Sequence, residues 1–323
     1  MKRTLLAAAV LAACLLVPVV GADAAPTAPQ DAVCPQDTMT FTGTARDLIV
    51  PENGFCAITG ATITRDVIQH DNAGAEISGT SVGRDVVFDD NAGAGISNTT
   101  IGRDVVAQGA ESGADITDSS VGRDFVGRGE ESGANILRST IGRDMQLLGL
   151  GGDTHLESVT IGHDFAASSP QTVQTGHNSP NTPGGPVNVG HDFTIDGSPG
   201  FPFVFDGLCN LTVAHDVRIT NRTVNLGLGF GGHCEANGQH ANDVGHDLVM
   251  TGLSSVPGCC GPASIVVVGN HVGHDLVFSG NTAAEATLQV ADNTVGHDAT
   301  CDDNDPTVTA ATPNVAGHAN TCG

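Results

Sequence analysis

The stretch Val82-Gly83-Arg84-Asp85-Val86 is one copy of a phrase, apolar-Gly-(Arg/His)-Asp-apolar, that recurs along most of the chain. We call its aspartates the Asp column: Asp47, Asp66, Asp85, Asp104, Asp124, Asp144, Asp164, Asp192, Asp216, Asp247, Asp275 and Asp298. The first six steps between them are 19 or 20 residues, and the last five are 23 to 31 residues. A regular period near twenty predicts a solenoid of stacked repeats.

Apolar residues recur at fixed distances from each aspartate. The residue at +1 is apolar in every copy, from Leu48 to Ala299, and the residues at +3, −3 and −8 are mainly apolar. Alternation at +1 and +3 is the period of a strand with one face inward. A coil of this length buries its apolar row only against a neighbouring coil. We therefore predict an all-β, single-stranded parallel β-helix (β-solenoid) of about 13 coils, three-faced, with the right-handed crossovers usual for parallel strands.

The N-terminus has the pattern of a secretory signal. Two basic residues precede an apolar run, and a small-x-small site predicts cleavage after residue 24. A lipobox ending at Cys14 is the alternative. The predicted organisation is a signal peptide at 1–24, a lead-in at 25–38, regular Arg-Asp coils at 39–165, and His-Asp coils with lateral loops at 166–323. No segment after the signal is long and apolar enough to span a bilayer.

Composition narrows the classes of partner. The net charge is −24, and the chain after the signal contains no lysine. Nucleic acid and anionic membranes are therefore poor partners. The chain has no Trp and no Tyr, which disfavours a large sugar-stacking face. These features indicate a secreted, extracellular or cell-surface protein, with a cell-wall or matrix component, or self-association, as the expected partner.

Eight cysteines follow the signal, and an even number after an export signal favours disulfides. The candidates are Cys34, Cys56, Cys209, Cys234, Cys259, Cys260, Cys301 and Cys322. Cys301 and Cys322 occupy the same register in successive coils, so they should lie about 4.8 Å apart along the axis, within disulfide reach. Cys34/Cys56 and Cys209/Cys234 are also about one coil apart.

The residue before each aspartate changes along the chain. It is arginine in the first half, which we call the Arg column: Arg46, Arg65, Arg84, Arg103, Arg123 and Arg143. It is histidine in the second, the His column: His163, His191, His215, His246, His274, His297 and His318. Glycine stands at −2 in nine of twelve copies, which predicts either a positive φ or no room for a side chain.

Three interpretations of these columns stay open. In the first, each aspartate accepts backbone or imidazole N–H bonds and pins the corner. In the second, His and Asp of adjacent coils bind a transition metal, since both are ligand types. In the third, the Asp column holds Ca²⁺. The metal candidates are His246, Asp247, His274, Asp275, His297 and Asp298. The Gly-rich segment 227–232 predicts a loop.

The phrase Asn-x-Val-Gly-x-Asp-Leu, at 270–276 and, with Ala last, at 293–299, resembles the coils of exported actinobacterial β-solenoid repeat proteins. More distantly it is similar to the coils of bactofilins, the polymer-forming bacterial β-helix proteins. The resemblance implies the fold, and it transfers no functional residue.

The sequence thus favours a non-enzymatic structural, surface or matrix β-solenoid without a cofactor. One alternative is a polysaccharide-active β-helix enzyme with its site in the loops 168–262. Another is a solenoid that binds divalent cations through its Asp and His columns.

Overall fold

The protein is a parallel β-solenoid, as predicted, and it has about twelve turns where the sequence predicts about 13. The computed structural model describes residues 28–35, 39–90, 93–109, 114–129, 133–149, 151–176, 184–198, 205–231, 241–256 and 263–323. Within these residues the regular elements are all strands, and each strand pairs in parallel with the equivalent strand one turn away. No helix among them could span a membrane.

The strands form three long sheets and one short one. Sheet 1 contains β1 (Ala32–Val33), β4 (Leu48–Val50), β7 (Val67–Gln69), β10 (Val86–Asp89), β13 (Val105–Gln108), β16 (Phe125–Arg128), β19 (Met145–Leu148), β22 (Phe165–Ser168), β25 (Phe193–Asp196), β28 (Val217–Thr220), β32 (Leu248–Thr251), β36 (Leu276–Ser279) and β40 (Ala299–Thr300). Sheet 2 contains β2 (Thr40–Phe41), β5 (Phe55–Thr59), β8 (Gly74–Ser78), β11 (Ala94–Ser97), β14 (Ala114–Thr117), β17 (Ala134–Leu137), β20 (Asp153–Glu157), β23 (Thr172–Thr175), β26 (Phe205–Leu208), β30 (Gly227–Phe230), β34 (Ile265–Val268) and β38 (Leu288–Ala291).

Sheet 3 contains β3 (Thr44–Ala45), β6 (Thr62–Ile63), β9 (Ser81–Val82), β12 (Thr100–Ile101), β15 (Ser120–Val121), β18 (Thr140–Ile141), β21 (Val159–Ile161), β24 (Val187–Val189), β27 (Leu211–Val213), β31 (Asp243–Val244), β35 (His271–Val272), β39 (Thr294–Val295) and β41 (Val315–Ala316). Sheet 4 contains β29 (Thr223–Val224), β33 (Ser254–Ser255) and β37 (Thr282–Ala283). Each turn runs from sheet 2 to sheet 3, round the Gly-(Arg/His)-Asp corner, and into sheet 1.

The core is the row of apolar residues that the periodicity predicts. Equivalent residues pair turn to turn, for example Val86 with Val105 in sheet 1. Phe88 at +3 and Phe125 at +1 have no exposed surface. Phe165 and Phe193 stack inside the rod, with ring centroids 4.4 Å apart. Each fully buried side chain of this size contributes roughly 1.5–3 kcal/mol, so the stacked turns stabilise one another.

Met39 departs from this pattern. It occupies the −8 position, which is predicted to face inward, yet 51% of it is exposed. The strand pairing gives the reason, because Phe41 lies opposite Ile58, the −8 residue of the next turn, and packs against the core. Phe41 stands six places before Asp47, whereas Ile58 stands eight places before Asp66, so counting eight places back gives the wrong residue in the first turn.

The insertions of the second half also differ from the prediction. The sequence predicts lateral loops within 166–323, but the two segments that contain β23 and β30 add strands to sheet 2. The Gly-rich segment predicted as a loop therefore begins with a strand, in which Phe230 is fully buried. The solenoid needs a sheet 2 strand in nearly every turn, and this requirement outweighs the low strand propensity of glycine. The stretches 177–183, 199–204, 232–240 and 257–262 lie outside the described residues.

One disulfide lies at each end of the solenoid, and each joins two neighbouring turns. Cys34 pairs with Cys56, with Cα atoms 6.1 Å apart, and Cys301 pairs with Cys322, with Cα atoms 4.8 Å apart. The second separation is the predicted spacing of successive turns. Cys209 is also disulfide-bonded. Cys234, Cys259 and Cys260 lie outside the described residues.

Candidate functional site

The glycine before each Arg-Asp or His-Asp pair allows the turns to stack closely at the corner. A Cβ on Gly102 would lie 2.2 Å from the carbonyl oxygen of Gly83 in the preceding turn, and Gly122 meets Gly102 in the same way at 2.3 Å. Neither glycine has a positive φ. Of the two predicted reasons for this glycine, lack of room is therefore the correct one. The corner repeats with the same geometry, so the side chains that follow it form straight columns.

The Asp column pins the corner through the backbone, as the first interpretation predicts. The Oδ1 of each aspartate accepts the backbone N–H of the equivalent residue in the next turn, at 2.9 to 3.3 Å, in twelve successive steps from Asp47 to Ala319. A charge-assisted bond of this kind is stronger than a neutral one. Every turn is thus fastened to the next at the same point.

The Arg column lies between successive aspartates. Each guanidinium from Arg65 to Arg123 lies 3.3 to 3.8 Å from the carboxylate of its own turn and from that of the preceding turn. Arg143 makes the tightest contact, with its Nε donating to Asp124 at 2.8 Å. Burial opposes ionisation of Asp124, but the bonds from Arg143 and from the backbone of Asp144 outweigh it and lower its pKa.

Histidine takes over the same place in the second half. From His163 to His297, each Nδ1 lies 2.9 or 3.0 Å from the Oδ1 of the preceding turn's aspartate. It also lies 3.1 to 3.5 Å from the carboxylate of its own turn. A carboxylate only accepts, so the neutral imidazole must carry its proton on Nδ1. The remaining nitrogen, Nε2, then has a free lone pair.

Six of these rings form a continuous stack, and we call them the stacked histidines: His163, His191, His215, His246, His274 and His297. Neighbouring ring centroids are 4.7 to 5.0 Å apart, and neighbouring ring planes differ by 1 to 5°. His318 ends the stack, because its ring is turned by 66° relative to that of His297. The stacked side chains are 37 to 53% exposed.

Asp216 is the most strongly held carboxylate of the column. Its side chain is 5% exposed, and it accepts bonds from Arg218 at 2.6 Å and from Nδ1 of His246 at 2.9 Å. Burial opposes its ionisation, but the bonds from Arg218, His246 and the backbone of Asp247 outweigh it and lower its pKa from 3.8 to about 2. This aspartate is ionised at any physiological pH.

The predicted metal ligands lie together, in successive turns of the column. The possible ligand atoms of His246, Asp247 and His274 lie within 4.8 Å of one another, as do those of His274, Asp275 and His297. Nδ1 and the carboxylates are already joined by hydrogen bonds, so a metal at that point would displace a proton. Carboxylate bonding to Nδ1 is also the usual outer-shell arrangement behind a histidine that binds metal through Nε2.

A buried asparagine column was not predicted. Asn242, Asn270, Asn293 and Asn314 are at most 5% exposed. The side-chain N–H groups of the first three donate to the Oδ1 of the asparagine in the next turn, at 2.9 to 3.1 Å, and that of Asn314 donates to the backbone carbonyl of Val290. Each of these asparagines stands five places before the residue at the Asp-column position of its turn, and that constant spacing is the sequence signal that could have revealed the column. Because the ladder satisfies its buried amides, it strengthens the stacking of the last turns.

A second unpredicted feature lies within the proposed enzyme region, 168–262. Arg222 and Asp206 form a fully buried pair, with Nε donating to Oδ2 at 2.6 Å and Nη2 donating to Oδ1 at 2.8 Å. Arg222 also donates to the backbone carbonyls of Pro170 and Gln171. Neither side chain has any exposed surface, so the pair joins the inserted segments to the rod and does not present a reactive group.

These features define a parallel β-solenoid repeat protein with charged ladders along one corner. Comparisons with family models, with curated proteins and with solved structures found no match for this chain.

Proposed function

We propose that this protein is a non-enzymatic, exported β-solenoid with a structural role at the cell surface or in an extracellular matrix. The uninterrupted Asp ladder, in which twelve successive steps join the turns in the same way, carries the proposal. An enzyme concentrates its unusual groups at one local site, whereas here one interaction is repeated along the rod.

Two further observations support this role. Disulfides tie both the first and the last turns, where a solenoid would otherwise fray, and disulfides persist in oxidising compartments outside the cytosol. The buried Arg222–Asp206 pair supports the same conclusion, because two charged residues of the region 168–262 are enclosed in the rod and are not offered to a substrate.

Fractionation of producing cells tests the location. We expect the chain without residues 1–24 in the medium or the cell-wall fraction, with the Cys301–Cys322 bond intact. Recovery of the full chain in the cytoplasm with free thiols would contradict the proposal.

Incubation with sedimented cell-wall material tests the role. We expect the purified protein to sediment with the wall and to release no soluble sugar beyond a heat-denatured control. Sugar release above that control would favour the polysaccharide-active enzyme. A panel of soluble polysaccharides, followed by reducing-end measurement, extends the same test to other substrates.

A further inference from the structure

The stacked histidines present a row of unused nitrogen ligands on the outside of the rod. Their Nδ1–H groups are held by ionised carboxylates, so the tautomer is fixed and the Nε2 lone pairs remain free. A carboxylate behind the imidazole raises the basicity of the ring as a metal ligand. Imidazole nitrogen is a preferred ligand of Zn²⁺, Cu²⁺ and Ni²⁺.

One chain alone cannot use this row to chelate an ion well. The ring planes are nearly parallel and the ring centroids are 4.7 to 5.0 Å apart. Since each ring makes the same bond to the same column, we infer that the Nε2 atoms repeat at about the same spacing. Two nitrogens that share one Zn²⁺ can be at most about 4.2 Å apart, because each Zn–N distance is about 2.1 Å. The lone pairs also lie in the ring planes, and successive planes are nearly parallel, so an ion shared by two rings cannot lie in the planes of both.

A ring from a second molecule meets these requirements. An ion placed outward from one Nε2 lies in the plane of that ring, and a ring of a facing chain can approach it from the opposite side. The stacked side chains are 37 to 53% exposed, so a facing chain can reach them from solvent. The constant spacing of the rings lets successive turns of two rods meet in register.

Charge makes this contact conditional on the metal. Each chain carries a net charge of −24, so two bare rods repel each other. A divalent cation between imidazoles offsets this repulsion where the columns meet. Several weak bridges along one rigid face act together, because once the first has formed the others close within the same complex.

We propose that transition-metal ions bridge two copies of this chain side by side, through the Nε2 atoms of their stacked histidines. The pairing rests on the proposed structural role and names its partner: a second copy of the chain. If metal-dependent pairing does not occur, the results on location and on wall binding are unaffected. The pairing and the structural role are therefore tested separately.

Sedimentation velocity of the chain 25–323, with and without Zn²⁺, tests the proposal. We expect the mass to double when Zn²⁺ is added and to return to that of one chain when a chelator is added. Zn²⁺ binding without doubling would overturn the proposal. Equal doubling with Ca²⁺ would also overturn it, because Ca²⁺ prefers oxygen ligands and would report bridging by carboxylates.

The chain's own first half supplies a matched variant. The triple substitution His215→Arg, His246→Arg, His274→Arg places in three turns the residue that the Arg column carries beside the same aspartates, and removes three Nε2 ligands. We expect the Zn²⁺-dependent dimer to weaken at least about tenfold. The control is His271→Gln, since His271 is 65% exposed and lies outside the stack. Unchanged pairing of the triple variant would refute the role of the stack.

The converse variant keeps the test decisive if the triple variant folds poorly. Arg123→His with Arg143→His extends the stack by two turns, because Arg143 immediately precedes His163 in the column. We expect Zn²⁺-dependent pairing to become several-fold tighter. Unchanged or weaker pairing would count against bridging through the column.

Discussion

Replacing Asp216 with Asn should cost stability in a way that depends on pH. The Asp216 side chain is 5% exposed, and its pKa is lowered from 3.8 to about 2 by bonds that outweigh its burial. One pKa unit corresponds to about 1.36 kcal/mol, so ionised Asp216 contributes roughly 2–2.5 kcal/mol to folding. Because its folded pKa is depressed, this contribution is fully present above pH 3.8 and is lost as the pH falls towards 2.

Urea unfolding of the wild type and of Asp216→Asn, followed by circular dichroism, measures this contribution. We expect the variant to be less stable by roughly 2 kcal/mol at pH 7 and at pH 5, and by less than about 0.5 kcal/mol at pH 2. Asp298→Asn is the control, since it lies in the same column with a side chain that is 36% exposed. It should cost less at pH 7. Equal stability of Asp216→Asn and wild type at pH 7, or a loss that persists unchanged at pH 2, would show that the ionised carboxylate of Asp216 does not stabilise the fold.

Three further predictions test other parts of the rod. Arg222→Met leaves a buried carboxylate unpaired and should destabilise the protein by about 3–5 kcal/mol in urea unfolding; a loss below 1 kcal/mol would contradict the pairing. Gly122→Ala places a Cβ 2.3 Å from a carbonyl oxygen and should lower the free energy of unfolding by about 1–3 kcal/mol. The control is Gly95→Ala, whose Cβ would have no atom nearer than 4.0 Å and should change stability by under about 0.5 kcal/mol. Equal effects of the two substitutions would reject the close stacking at the corner. Replacing Cys301 and Cys322 with Ser should cost about 2–4 kcal/mol and speed amide exchange in the last turn, and unchanged exchange would show that the bond does not clamp that end.

The sequence was informative wherever the structure repeats. Each regular turn contacts mainly its neighbours, so a period near twenty and the apolar residues at +1 and +3 were enough to predict the solenoid and its core. The same register predicted the Cys301–Cys322 bond. The role of the Asp column in pinning the corner was one of three interpretations that the sequence left open, and the coordinates were needed to support it. The reason for glycine at the corner required coordinates, because a close contact and a positive φ leave the same trace in a sequence.

The rest depends on contacts that do not repeat. The Arg222 side chain reaches carbonyls 51 and 52 residues earlier in the chain, and no periodicity encodes that distance. The strand at Gly227–Phe230 forms because sheet 2 requires it, against its local propensity. The stacking of the histidines depends on ring orientation, which the aspartate bonds impose and which the His-Asp phrase alone does not specify.

Measuring the tautomer of the stacked histidines tests most directly whether the Asp–His ladder exists. Long-range ¹⁵N–¹H correlation spectra of the folded protein at pH 8.5 distinguish imidazoles protonated on Nδ1 from those protonated on Nε2. We expect the six stacked histidines, from His163 to His297, to be protonated on Nδ1, with Nε2 free. Protonation of these six rings on Nε2 would contradict this prediction, because the Asp–His ladder and the outward row of ligands would then not exist.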